Sequence, residues 1–203
     1  LFIAAAKLLF HLLTAGRYGI FRDELYYLAC SEHLDWGYVD QPPLIALIVW
    51  IARRAFGESL LGLRFLPAVA GAALVVLTGK LTEELGGRRF AQALSALAVA
   101  FVPVYLIMHH WMTMNAFEPL IWMGGAWCIV RAINGGQKRY WLGVGVLMGI
   151  GMQTKYSAAF FACGVFIGLL ATRERPAPKR RRVLDGGAAG FFRGSLVCGR
   201  GFS

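Results

Sequence analysis

Arg22-Asp23-Glu24-Leu25-Tyr26-Tyr27, followed by Asp40-Gln41-Pro42-Pro43 starting seventeen positions after Asp23, is a polar interval between apolar stretches. It places carboxylates, tyrosines and a diproline between hydrophobic segments. Charge beside a bilayer is costly, so it marks a functional site when the flanking segments are membrane-type.

Composition says that they are. The 203 residues are 58% hydrophobic and only 16% charged, with mean hydropathy +0.57. A soluble domain carries about 25% charge. The net charge of +10 is concentrated: residues 172–203 hold eight Lys/Arg against Glu174 and Asp185. Nucleic-acid binding is excluded because the apolar helices offer no basic groove. The basic tail suits anionic lipid on the cytoplasmic side. Cys30, Cys128, Cys163 and Cys198 show no metal-type spacing.

A spanning helix needs about 20 apolar residues. Working outward from the polar interval, spans are predicted over residues 1–21, 60–79, 90–108, 119–133, 140–154 and 156–172. Asp23–Leu34 reads as an amphipathic helix with acids in its first turn. Residues 42–56 start at the diproline and end in Arg53-Arg54, too short an apolar run to span, and read as interfacial. The fold class is thus all-α, a polytopic bundle of about six spanning and two interfacial helices. Residues 1–175 form the membrane module and 176–203 a disordered tail or the product of a truncation or frameshift. The chain opens at Leu1 inside an apolar stretch, which reads as a fragment or an alternative start; Lys7 argues against a cleaved signal peptide.

The positive-inside rule orients the bundle. With the first loop outside, the inner loops carry Lys80, Arg88, Arg89, Arg131, Lys138 and Arg139. The outer segments carry Asp23, Glu24, Glu32, Asp35, Asp40, Glu58 and Glu118. Arg53, Arg54 and Arg64 fall on the unexpected side.

Adjacent helical residues diverge by about 100°, so Asp23 and Glu24 cannot face one target together. One is free to meet a reacting group while the other anchors a helix end or a metal. A carboxylate at the membrane boundary suits proton removal from a hydroxyl, and Asp23 reads equally well as an N-cap. Asp40-Gln41 is a helix-start signal that returns to the same face. Adjacent His109-His110 do not form a metal pair and read as wetted membrane-edge residues. Glu118 precedes an apolar span. Lys155 lies between uncharged runs, either snorkelling or serving as a point charge for phosphate. Arg17, Arg22 and Arg64 are alternatives for that role.

The ordered set of Arg22-Asp23-Glu24, Asp40-Gln41-Pro42-Pro43, Met114-Asn115-Ala116-Phe117-Glu118-Pro119 and Thr154-Lys155-Tyr156-Ser157 resembles the N-terminal part of glycosyltransferase family 39. That family is related to dolichyl-phosphate-mannose protein mannosyltransferases and the lipid A aminoarabinose transferase, in the GT-C superfamily. The resemblance covers about residues 1–175. It implies a polyprenyl-phosphate-linked sugar donor, a hydroxyl acceptor on protein, lipid or glycan, and inversion at the anomeric carbon. It implies a multi-pass inner-membrane protein with its active face periplasmic or extracellular. Asp23 corresponds to the catalytic acid, and Arg22 and Lys155 by position to phosphate-binding cations. Glu24, Tyr27, Asp40, Gln41, Asn115 and Glu118 are the further substrate-binding expectations. Glu24 and Glu118 are the candidates for holding a divalent cation, Mg or Mn, if one takes part. The chain departs from the family in having Gln41 where aminoarabinose-type relatives often carry Lys, Asn115 and Glu118 where many carry Asp, and a basic Gly-rich tail in place of further spans. The alternative functions are a transporter or lipid-binding membrane protein, or an inactive fragment of a transferase.

Overall fold

The structure, a computed structural model, describes residues 1–135 and 137–171. The expected boundary near residue 175 and the tail beyond it lie outside the described residues. The contacts divide the chain after Val165, and Leu1–Val165 forms the first compact unit. All elements that build the site belong to the first.

The described residues are helical, without strands. The helices are α1 (Phe2–Thr14), α2 (Arg22–Glu32), α3 (Leu44–Phe56), α4 (Leu60–Glu84), α5 (Arg89–Phe101), α6 (Pro103–Met108), a short 3-10 turn (Met114–Ala116), α7 (Glu118–Gly135), α8 (Arg139–Thr154) and α9 (Ala158–Ala171). Helices are present where the two interfacial ones are expected, as α2 and α3. Against six expected spans, two stretches among the described residues have the length and apolarity to cross a membrane, Leu60–Glu84 and Met114–Gly135. Phe2–Thr14, Arg89–Phe101 and Ala158–Ala171 are apolar but shorter. The first expected span, 1–21, is helical for only 13 residues. The third is broken, because a residue before proline is pushed out of the helical region and Val102, before Pro103, is extended (φ −61°, ψ 127°).

Local chemistry explains how α3 ends and α4 begins. Gly57 adopts φ +73°, which ends α3 at little steric cost. Ser59 then caps α4, its Oγ accepting from the Gly62 amide at 3.0 Å. The 25-residue α4 is the central strut and packs on α1, α3, α5 and α7. Near one end Arg64 meets α2. At the other Glu84 accepts from Arg131 of α7 at 2.7 Å. Twenty residues of helix separate Arg64 and Glu84, about 30 Å of rise, which matches a bilayer's hydrocarbon thickness. The two basic loops expected to share a side therefore do meet, through Arg131 and the Asn134 side chain, which donates to the Glu84 carbonyl at 3.2 Å.

The acidic end has its own core. Tyr27 of α2, Ile45, Val49 and Ala52 of α3, Leu63 of α4 and Met112 are buried together, with Met114 and Phe117 packed against them. This cluster joins the first polar interval to the segment that carries Asn115 and Glu118.

Candidate functional site

Glu24 and Asp23 divide as helix geometry requires. Glu24 is fully buried and accepts four hydrogen bonds. Arg64 grips it from two nitrogens, Nε to Oε1 at 2.9 Å and Nη2 to Oε2 at 2.7 Å. The backbone amides of Phe21 and Met112 supply the others, at 2.9 and 3.0 Å. Burial alone would raise the Glu24 carboxyl. The Arg64 guanidinium and the two amides outweigh it and hold the group below the ordinary carboxylate value. Arg64 also donates to the carbonyls of Ala15, Tyr18 and Gly19. One ion pair thus ties the chain after α1, the start of α2, α4 and the 109–117 segment.

Two sequence expectations meet a different arrangement here. The carboxylate of Glu24, expected to bind substrate or a metal, is engaged by Arg64 and two amides and shut off from solvent. Arg64, expected as an alternative phosphate-binding cation, is buried with it. Among the described residues no group of three or more His, Cys, Asp or Glu is placed to hold a metal ion.

Asp23 is the freer carboxylate. Its side chain is 37% exposed and lies 3.4 Å from Arg22, itself 90% exposed. It is not the N-cap of α2; that position belongs to Phe21. Asp40 is likewise no cap, since Pro43 holds that place in α3. Instead Asp40 accepts from the Tyr26 hydroxyl at 2.6 Å. This bond, foremost, raises the Tyr26 pKa. Burial, with the charges of Asp23 and Asp40, pushes Tyr27 up to about 12. The Tyr26–Asp40 bond sets the residues before the diproline against α2. The Tyr27 ring itself is a core residue, 5% exposed, so it supports the site from beneath and offers no stacking face.

Gln41 is also buried, and its Nε2 meets the Cys30 sulfur at 3.6 Å. It packs the diproline segment onto α2 and has no exposed surface with which to meet a substrate. His109 is buried too, which overturns the expectation of a wetted residue. Gly71 makes room for it: a Cβ there would lie 2.7 Å from the His109 ring.

A second polar cluster forms where α8 breaks before α9. Lys155 is extended there (φ −161°, ψ 138°), and its Nζ donates to Asn115 Oδ1 at 2.9 Å and lies 3.5 Å from Glu118 Oε2. Ser157 donates its hydroxyl to the other Glu118 oxygen. Three expected site residues are therefore brought together from positions forty residues apart. Sequence reasoning missed Ser157, although it adjoins a quoted motif. It also missed the role of Arg64, whose signal was an arginine on the acidic side in the first turns of an apolar helix.

Described residues that are helical throughout, with helices able to cross a bilayer and a set of charged and polar groups at one end of them, have the build of a membrane-embedded enzyme or carrier. Residues 40–192, more than half of the chain, match the model of the dolichyl-phosphate-mannose-protein mannosyltransferase family, and the chain belongs to that family. Membership makes it a membrane-integral glycosyltransferase of the mannosyltransferase type. The match takes in Asp40, Gln41, Asn115, Glu118 and Lys155 and begins after Asp23. No curated protein and no solved structure matches the chain.

Proposed function

We propose that the protein transfers a sugar from a polyprenyl-phosphate donor to a hydroxyl acceptor, with inversion, at the non-cytosolic face of the membrane. Asp23 takes the acceptor proton. The acceptor oxygen bonds to the anomeric carbon as the bond from that carbon to the phosphate oxygen breaks. The polyprenyl phosphate leaves with the electron pair, and Lys155 and Arg22 stabilise its charge. Preorganised charge of this kind is usually the largest single contribution to catalysis. Asp40 and Glu118 shape the site, the first oriented by Tyr26 and the second by Ser157.

The observation that carries this reading is the division of labour between neighbours. Glu24 is consumed by the Arg64 bridge, and Asp23 stays partly exposed, with the solvent-exposed Arg22 at 3.4 Å. The test is transfer from a radiolabelled polyprenyl-phosphate mannose by the purified protein in detergent, with a nucleotide sugar as control. Transfer from the lipid donor alone supports the proposal. Transfer only from the nucleotide sugar, or substrate flux in proteoliposomes with no donor lipid, refutes it.

A further inference from the structure

The cleft between the C-terminal ends of α2 and α3 encloses about 340 Å³ and is lined by Ser31, Glu32, Trp50, Arg53, Arg54 and Glu58. Its two arginines differ. Arg53 is tied down: it donates to Ser31 Oγ at 3.1 Å and pairs with Glu32 at 3.4 Å and Glu58 at 2.5 Å. Arg54 has no ion pair among the described residues. Its guanidinium lies over the Trp50 ring, 5.3 Å from the centroid. Stacking fixes a guanidinium in plane and leaves its N–H edge free for an oxyanion.

We propose that this cleft is a binding subsite for an anionic saccharide, a sugar bearing a phosphate or carboxylate. Arg54 takes the charged group in fork geometry. Glu32 and Glu58 accept from the sugar hydroxyls, and Trp50 supplies the apolar edge that sugar C–H faces require. The polar walls favour a sugar over a lipid headgroup. A lipid chain needs an apolar trough such as the one beside Lys7, walled by Ile3, Phe10 and Leu97, and this cleft has none. Glu32 lies nine residues along α2 from Asp23, about 13 Å of helix, so a short acceptor glycan spans from one to the other. That acceptor role rests on the transferase reading; saccharide binding itself does not.

The test is calorimetric titration of the protein in detergent with glucose 6-phosphate as probe, and with glucose and inorganic phosphate as controls. Saturable binding of the sugar phosphate is expected, at least tenfold tighter than either control. Arg54→Gln and Trp50→Phe each weaken it about tenfold or more; both residues are at the surface, so the variants keep the wild-type melting temperature. Equal binding of inorganic phosphate, undiminished binding in both variants, or displacement of the probe by phosphatidylglycerol but not by other sugar phosphates overturns the proposal. A protein that binds the probe yet transfers no sugar loses only the acceptor role. One that transfers sugar and ignores the probe loses the subsite and keeps the proposed function.

Discussion

Arg64 holds Glu24 fork to fork, at 2.9 and 2.7 Å, with both side chains essentially removed from solvent. A buried pair often contributes little net stability, because desolvation offsets attraction, and apolar replacement is commonly tolerated. This one differs, because it also satisfies the Phe21 and Met112 amides and three carbonyls. Arg64→Met is expected to destabilise the protein by about 3–5 kcal/mol. The double variant Glu24→Leu/Arg64→Met stays destabilised, since those backbone groups are orphaned. Chemical denaturation in detergent measures both. A double variant as stable as wild type contradicts the assignment.

The same pair sets an acid limit. The Glu24 carboxyl is depressed in the folded protein, so its contribution is fully present above the ordinary carboxylate range, about pH 4.5. It is lost as pH falls through the lower folded value. Melting temperature measured from pH 7 downward is expected to drop below that range. Glu24→Gln starts lower and flattens the profile. An unchanged slope in the variant assigns the acid sensitivity to another group.

Lys155 separates a chemical role from a structural one. Its side chain is 40% exposed, and ion pairs of that kind contribute at most about 1 kcal/mol. Lys155→Met is therefore expected to leave stability nearly intact and to cut transfer about 100-fold, the scale of losing one charge-stabilising group. Lys155→Arg recovers part of the loss. Parallel losses of stability and activity mean that the residue only braces the α8–α9 break.

Tyr26→Phe removes the 2.6 Å bond to Asp40, together with the hydroxyl's contact to the Cys30 thiol. A net hydrogen bond of about 0.5–1.5 kcal/mol corresponds to a two- to tenfold fall in kcat/KM, with stability unchanged. A wild-type rate leaves Asp40 outside the site.

Much of this was legible in the chain because the signals are local. The diproline and the arginine pair Arg53-Arg54 delimit α3, and the acids of the first turn announce α2. The meeting of Asn115, Glu118 and Lys155 was legible only as motif order; no periodicity relates residues forty positions apart. The work of Glu24 was hidden because its partner, Arg64, lies in another helix. Pattern alone shows that two neighbouring acids diverge, and only tertiary packing decides which one faces inward. The span count was the least legible part. Apolar runs such as 1–21 and 90–108 carry no mark of where helix gives way, apart from Pro103, whose break at Val102 follows from backbone sterics.

The decisive measurement is the turnover of Asp23→Asn with a labelled polyprenyl-phosphate sugar, at matched melting temperature. Loss of a general base lowers the rate about 10²- to 10⁴-fold, and a fall of that size in a fully folded variant is the result expected. Turnover at the wild-type rate contradicts the assignment of proton removal to Asp23.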